Sequence, residues 1–248
     1  MRRGAEIIGA RNQLERVAAV VETRRLGKSY GLNPVLREVE LRVGAGCGAF
    51  IIGGNGSGKS TLLRMLAGLE APTSGSALVF GQDTRRLDAT YRRRIGMLAH
   101  QSFLYPNLTA RENLEFYGEL YGVADARALA REWLNRVGLE AFGETRVRAF
   151  SRGMEQRLAA ARAMINRPEL ILLDEPFAAL DPDGVKVMAA LIRDAIARGA
   201  AVLASAHTVA EIEGVAFSVY EIVRGRVVPL VRQEETARAG RVRSILGR

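Results

Sequence analysis

The chain has 248 residues, 48% hydrophobic and 25% charged, an ordinary globular composition that excludes a disordered, collagenous or disulfide-stapled chain. One cysteine, Cys47, rules out an intrachain disulfide and points to a reducing compartment; with only His100 and His207 beside it, a structural zinc site has no ligand set. Basic residues outnumber acidic ones 36 to 27, a formal charge of +9 that fits acidic partners (nucleotide phosphate, anionic lipid, nucleic acid) or simply an arginine-biased composition, since lysine stands only at 28, 59 and 186.

No apolar run approaches the roughly 18–20 residues needed to cross a bilayer. The N-terminus carries Arg2, Arg3, Glu6, Arg11, Glu15 and Arg16 and lacks the apolar stretch of a secretory signal. A cytosolic chain is expected, one that meets a membrane only at its surface or through a partner. Residues 1–19 are weakly patterned and read as an extension, or as a start placed ahead of Val20 or Val21.

From Val20 the texture changes. Val20–Thr23 reads as the beginning of a strand, and Val35–Val43 alternates partly, as a half-buried strand does. Ala49–Ile52 is a short apolar run that enters Gly53-Gly54, as a buried strand enters a turn. Lys59–Ala67 follows as a helix, closed by Gly68. Thr109 and Glu112 have capping-box spacing ahead of Leu114 and Leu120. Asp125 opens a helix with Leu129, Ala130, Trp133, Leu134 and Val137 on one face, stopped by Gly138. Ser151 opens another, which ends near Pro168. Leu170–Leu173 is a continuous apolar run, Pro182–Arg198 is periodic as a helix, and Ala201–Ala204 is a second buried strand. Strands alternating with helices predict a mainly parallel sheet, here interrupted by a helical insert over roughly 102–167.

Gly53-Gly54-Asn55-Gly56-Ser57-Gly58-Lys59-Ser60 fits G-x-x-x-x-G-K-[ST], with a strand before it and a helix after it. A phosphate is held by several backbone N–H groups turned inward, which needs residues without bulky side chains and some positive φ angles. The following helix adds the partial positive charge of its N-terminus. Lys59 is placed to reach the outer phosphates, Ser60 to offer a hydroxyl to Mg²⁺, and Thr61 to contact a phosphate. Further on, Asp174 and Glu175 end the Leu170–Leu173 strand, at the sheet edge where open α/β folds bind ligands. Asp174 suits Mg²⁺, and Glu175 suits a general base that polarises a water at the outermost phosphate.

Phe150-Ser151-Arg152-Gly153-Met154-Glu155-Gln156-Arg157 resembles the signature motif of ABC-type ATPases. Gln101 resembles their Q-loop glutamine, Ala179-Leu180-Asp181 their D-loop, His207 in Ser205-Ala206-His207 their switch histidine, and Tyr30 the aromatic that stacks on adenine. These motifs stand in the family's order along the chain and cover about residues 20–228. The resemblance implies an α/β fold of the P-loop NTPase type: a mainly parallel sheet, an antiparallel β subdomain and an inserted α-helical subdomain. The implied parts are an extension (1–19), a first core segment (20–101), the helical subdomain with the signature (102–167), a second core segment (168–230) and a basic tail (231–248).

The resemblance also implies ATP and Mg²⁺ as cofactors. It implies ATP contacts at Tyr30, Gly53, Asn55, Gly56, Ser57, Gly58, Lys59, Ser60, Thr61, Ser151, Gly153 and Asp181, metal contacts at Ser60, Gln101 and Asp174, and catalytic roles for Glu175, His207 and Gln101. Ser151 and Gly153 would act on the nucleotide of a second protomer, so a homodimer, or a heterodimer with a related ATPase, is expected. Arg152, Met154 and Ala178 depart from the family pattern, which predicts fewer hydrogen bonds across that dimer.

Such chains mostly drive separate integral membrane permeases, which implies peripheral placement at the cytoplasmic face of the cell membrane. The loop Phe103–Leu108 reads either as a docking surface for that subunit or as local packing under the insert. His100-Gln101, Leu104–Leu114 and Ser151–Met154 are similar to the ATP-binding subunits of haem exporters in cytochrome c maturation, and also to drug or polysaccharide exporters. No residue stands out as a direct haem ligand. A soluble ABC-type ATPase acting on nucleic acid or ribosomes is the alternative, motivated by the charge and by Arg92-Arg93-Arg94. The stretch between Lys59 and Ser151 holds no sustained heptads for a coiled-coil insert, and the triplet reads more simply as a solvated face. A GTPase or small-molecule kinase leaves the signature residues without a role, and no N-K-x-D motif is present.

Overall fold

The computed structural model describes residues 19–206 and 218–231. The predicted extension before Ala19, His207 and the predicted tail beyond Val231 lie outside the described residues. Within them the strands form two sheets. The first is antiparallel: β1 (Ala19–Tyr30), β2 (Asn33–Gly44), β4 (Ser74–Val79) and β5 (Gln82–Asp83), in the order β2-β1-β4-β5. The second joins β3 (Gly48–Ile52), β6 (Ile95–Leu98), β7 (Leu170–Leu173), β8 (Ala201–Ala206), β9 (Ser218–Val223) and β10 (Arg226–Val231), in the order β10-β9-β3-β8-β7-β6. All of its pairings are parallel except β10 with β9.

The continuous apolar runs follow from cover on both faces of this second sheet. Successive strand residues point to opposite sides. Ala49, Ile51, Leu170, Leu172, Ala201 and Leu203 therefore enter the core shared with the antiparallel sheet and helix α1 (Lys59–Leu66). Phe50, Ile171, Leu173, Val202 and Ala204 enter the other core, shared with the remaining long helices. Leu172 and Leu203 are fully buried, and each such side chain contributes about 2 kcal/mol of hydrophobic stabilisation.

A short helix α2 (Ala89–Arg92) precedes β6. Between β6 and β7 lie α3 (Ala110–Leu120), α4 (Ala126–Arg136) and α5 (Arg152–Met164), and α6 (Pro182–Ala197) follows β7. Each begins where the sequence predicts. Thr109 Oγ1 accepts from Glu112 N–H at 3.1 Å while Glu112 Oε2 accepts from Thr109 N–H at 2.7 Å, a complete capping box. Asp125, Ser151 and Asp181 cap the next three helices. Strands β4, β5, β6, β9 and β10 are not among the elements that the sequence predicts.

The loop 103–108 is part core and part surface. Leu104 is buried in the core, whereas Phe103 and Tyr105 are exposed by 44% and 47%. The Tyr105 ring meets Phe116 edge-on at 5.1 Å, and buried Asn113 fixes the loop by accepting from Tyr105 N–H at 2.8 Å and donating to Tyr105 O at 3.1 Å. The arginine triplet is partly structural: Arg94 pairs with Glu169 at 2.7 Å over the Phe80 ring, and Arg93 donates to Tyr121 O. The parallel strands β3, β7, β8 and β6 all end at one sheet edge, and their outgoing loops build the site there.

Candidate functional site

The loop from β3 to α1 makes an anion cradle. The N-cap of α1 is Gly58, at φ +108°, and no side chain caps the helix, so its first-turn N–H groups stay available. A Cβ at Gly58 would lie 2.9 Å from Leu36 Cδ2 and 3.0 Å from Val35 Cγ1, so both backbone angle and space demand glycine. No acidic residue stands in the first turn to compete with an anion. Lys59 is buried, and its Nζ donates to Gly53 O at 2.6 Å and Gly54 O at 3.2 Å, folding the ammonium back over the loop. Ser57 Oγ is buried without a hydrogen-bond partner. An orphaned hydroxyl beside unpaired N–H groups is the mark of a site built for an oxyanion.

Glu175 faces this cradle from β7. An open cleft of about 230 Å³ is lined by Val35, Asn55, Gly56, Ser57, Gly58, Lys59, Ser60, Thr61 and Glu175. Asp174 is buried behind it, with its N–H donating to Leu98 O at 2.8 Å. Ser205 on β8 is fully buried; it donates to Asp174 Oδ1 at 2.7 Å and accepts from Glu175 N–H at 2.9 Å. Glu175 itself has φ +51°. Gln156 on α5 donates from Nε2 to Glu175 O at 3.1 Å.

The signature and D-loop residues lie together but outside the lining of that cleft. Ser151 is exposed, and its Oγ caps α5 by accepting from Met154 N–H at 3.2 Å. A Cβ at Gly153 would stand 2.8 Å from Ala179 O, so the helix tip rests on the D-loop backbone. Asp181 caps α6 by accepting from Gly184 N–H at 2.7 Å. Gln101 is exposed, and its neighbour Ser102 donates to Glu155 of α5 at 2.6 Å.

Tyr30 also falls outside the cleft lining. It is 48% exposed, with its hydroxyl on Glu70 and the Lys28 ammonium 5.0 Å from its ring centroid. Burial pushes the Glu70 carboxyl up, but the Tyr30 hydroxyl, Lys28 at 3.1 Å and Arg64 at 3.7 Å outweigh it and hold the group below the usual range.

Ser205 and Gln156 are the site residues without an assigned role in the sequence reading, because their partners come from other elements. Hard oxygen donors suited to Mg²⁺ are present at Ser60 and Asp174, and Asp174 Oδ2 has no hydrogen-bond partner among the described residues. No cluster of three or more His, Cys, Asp or Glu occurs among those residues.

A larger cleft, about 400 Å³, lies at the opposite sheet edge, lined in part by Arg167, Glu169 and Arg198. Helices α5 and α6 end there, and C-terminal helix ends carry partial negative charge. The two arginines offset those ends, and the cleft is a poor phosphate site despite its size.

Comparison with known proteins agrees with the geometry. Residues 36–178 match the family model described as ABC transporter. The lantibiotic transport ATP-binding protein SrtF of Streptococcus pyogenes is 35% identical over 84% of this chain and 89% of its own length. The bacitracin transport ATP-binding protein BcrA of Bacillus licheniformis is 38% identical over 86% of this chain and 69% of its own. Among solved structures, the ATP-binding subunit of an ABC transporter superposes with a TM-score of 0.79 at 29% identity, over 89% of this chain and 93% of that one. A dimeric ATP-binding cassette in a post-hydrolysis state with ADP and Pi superposes at 0.76 with 30% identity, over 84% of this chain and 96% of that one. With its glycine cradle, buried lysine and facing acidic strand end, this chain belongs to the ABC transporter family as an ATP-binding domain of the ATPase type.

Proposed function

We propose that this chain is the ATP-hydrolysing subunit of an exporter, working as a dimer on a separate membrane permease. The observation that carries the reading is the shared lining of one cleft by the Asn55–Thr61 loop and Glu175. Lys59 and the loop N–H groups hold the phosphates. Ser60 and Asp174, together with Gln101, would hold Mg²⁺, which when bound neutralises phosphate charge. Glu175 orients the attacking water and takes its proton, while His207 supports the outermost phosphate. Tyr30 offers its ring to the adenine.

The dimer follows from what one chain leaves open. Ser151, Gly153 and Asp181 stand apart from their own chain's cleft and suit the nucleotide of a partner, whether a second copy or a related ATPase. Support comes from the dimeric solved relative. The permease reading is supported by the aromatic surface that Phe103, Tyr105 and Phe116 expose. No helix among the described residues is long and apolar enough to cross a membrane. Placement at the cytoplasmic membrane face rests on that partner.

Relatives of this chain are named for transport of a lantibiotic and of bacitracin, and one from Streptomyces coeruleorubidus for daunorubicin resistance. We infer a peptide or drug cargo from them. Haem export, suggested by residues 100–114 and 151–154, has no counterpart among these relatives. A nucleic-acid role finds no support in the arginine triplet, two members of which are tied within the fold.

Glu175→Gln is the direct test. The variant is expected to bind Mg-ATP and dimerise while turnover falls about 10²–10⁴-fold, the usual contribution of a general base. Wild-type turnover in that variant overturns the assignment.

A further inference from the structure

We propose that Ser205 is a positioning residue that holds Asp174 and Glu175 in one fixed arrangement and thereby sets the Mg²⁺ requirement of turnover. The inference rests on the ATPase reading of the cleft and goes beyond the motifs that define it. Ser205 is fully buried in β8, paired in register with Ile51 of β3. Ala201 and Leu203, on the same side of β8, are apolar, so packing alone gives no reason for a hydroxyl at 205. A buried hydroxyl is costly unless bonded, and among the described residues this one is bonded to the acidic pair.

The direction of those bonds is forced. A hydroxyl has one proton and two lone pairs. Glu175 N–H can only donate, so it takes a lone pair of Ser205 Oγ at 2.9 Å. The hydroxyl proton then goes to Asp174 Oδ1 at 2.7 Å. One carboxylate oxygen is thus occupied and the plane of the group is fixed. Oδ2, with no hydrogen-bond partner among the described residues, is the oxygen left for a hydrated cation.

The same hydroxyl holds a strained residue. Glu175 sits at φ +51°, a region that glutamate adopts only when its surroundings impose it. Ser205 grips its N–H from β8, and Gln156 grips its carbonyl from α5 at 3.1 Å. The pair pins both flanking peptide groups and aims the side chain into the cleft.

The test uses the full chain with Ser205→Ala and Ser205→Thr. Three quantities are read: melting temperature without nucleotide, ATP affinity in EDTA, and turnover against Mg²⁺ concentration. For Ser205→Ala, the Mg²⁺ midpoint is expected to rise and kcat to fall, each about tenfold or more, the usual effect of losing a hydrogen bond to a charged group. ATP affinity in EDTA, set by the loop and Lys59, stays within about twofold. Ser205→Thr restores the hydroxyl and is expected to recover most of both losses.

A readout free of turnover is the gain in ATP affinity on adding Mg²⁺ in the Glu175→Gln background, which Ser205→Ala is expected to reduce. A wild-type Mg²⁺ midpoint and kcat in Ser205→Ala overturns the proposal, as does an equal loss of affinity in EDTA. If the alanine variant does not fold, Ser205→Cys fills the site with a weaker donor, and an unshifted midpoint there overturns it. Absence of any ATP turnover in the wild type strikes the ATPase reading instead, which keeps the two failures apart.

Discussion

Replacing Lys59 with methionine keeps most of the side-chain length and removes the charge. In the nucleotide-free chain Lys59 is 5% exposed and makes no ion pair with a described residue; the bonds of its ammonium are to Gly53 O and Gly54 O. A buried charge without a counter-ion is unfavourable, and removing it offsets the loss of those two bonds. Gly54 is exposed, so water can replace the lysine at its carbonyl. The net change in nucleotide-free stability is therefore expected within about 1–2 kcal/mol, a shift of a few degrees in melting temperature. With ATP present the balance reverses, because the ammonium gains a phosphate partner. Losing a hydrogen bond to a charged group costs about 1.5–3 kcal/mol, which raises Kd about 10–150-fold. Thermal melting without nucleotide and calorimetric titration with Mg-ATP measure the two halves. An unchanged Kd removes Lys59 from the phosphate site. A fall of more than about 10 °C in the nucleotide-free melt, roughly 3 kcal/mol, would make the lysine a structural tie of the loop.

Gly96 in β6 tests the packing of the signature helix on the sheet. A Cβ there would come within 2.0 Å of Ala163 O and 2.7 Å of Pro168 Cγ. Gly96→Ala is expected to cost about 3 kcal/mol or more in urea unfolding, against under about 1 kcal/mol for Gly54→Ala, where nothing lies within 4 Å; equal costs would refute the close approach. The capping box gives a pH test. The Thr109 backbone N–H, then its hydroxyl, hold the Glu112 carboxyl below its ordinary 4.5. A depressed folded value means the stabilisation is present above pH 4.5 and is lost as pH falls through the folded value. The melting-temperature advantage of the wild type over Glu112→Gln should shrink below pH 4.5, and a constant difference would refute the linkage.

The sequence was informative where local chemistry and tertiary structure agree. The Thr109–Glu112 box, the apolar runs at β3, β7 and β8, and the glycine spacing of the phosphate loop each state their geometry within a few residues. What was missed depends on neighbours distant along the chain. β6 carries Gly96, a residue that argues against a strand until α5 is laid across it. β4 opens with Ser74-Gly75-Ser76, a turn signature. β10 contains Pro229, tolerated because that strand is the sheet edge. Arg162 shows the same limit for charge. Arginine is mostly an exposed residue type, yet Arg162 is buried, donates to Met97 O at 2.6 Å and lies 5.5 and 5.6 Å from the Phe103 and Tyr117 ring centroids. Burial lowers its pKa from the ordinary arginine value.

These distant contacts also explain how the two halves of the proposed site act together. The segment 174–181 carries the acidic pair at one end and the D-loop at the other. Gln156 of α5 holds its carbonyls at Glu175 and Pro176, and Gly153 at the tip of the same helix rests against Ala179 O. Glu155, between them in sequence, accepts from Ser102 beside Gln101. On the proposed dimer the acidic end would serve the chain's own nucleotide and the helix tip the partner's. The contacts of Gln156, Gly153 and Glu155 then join Glu175 to the helix tip and to the loop next to the aromatic surface. Arg152 and Met154 do not break this chain of contacts, because Gln156 and Gly153 carry it. The departures from the family pattern thus leave the linkage within one chain intact.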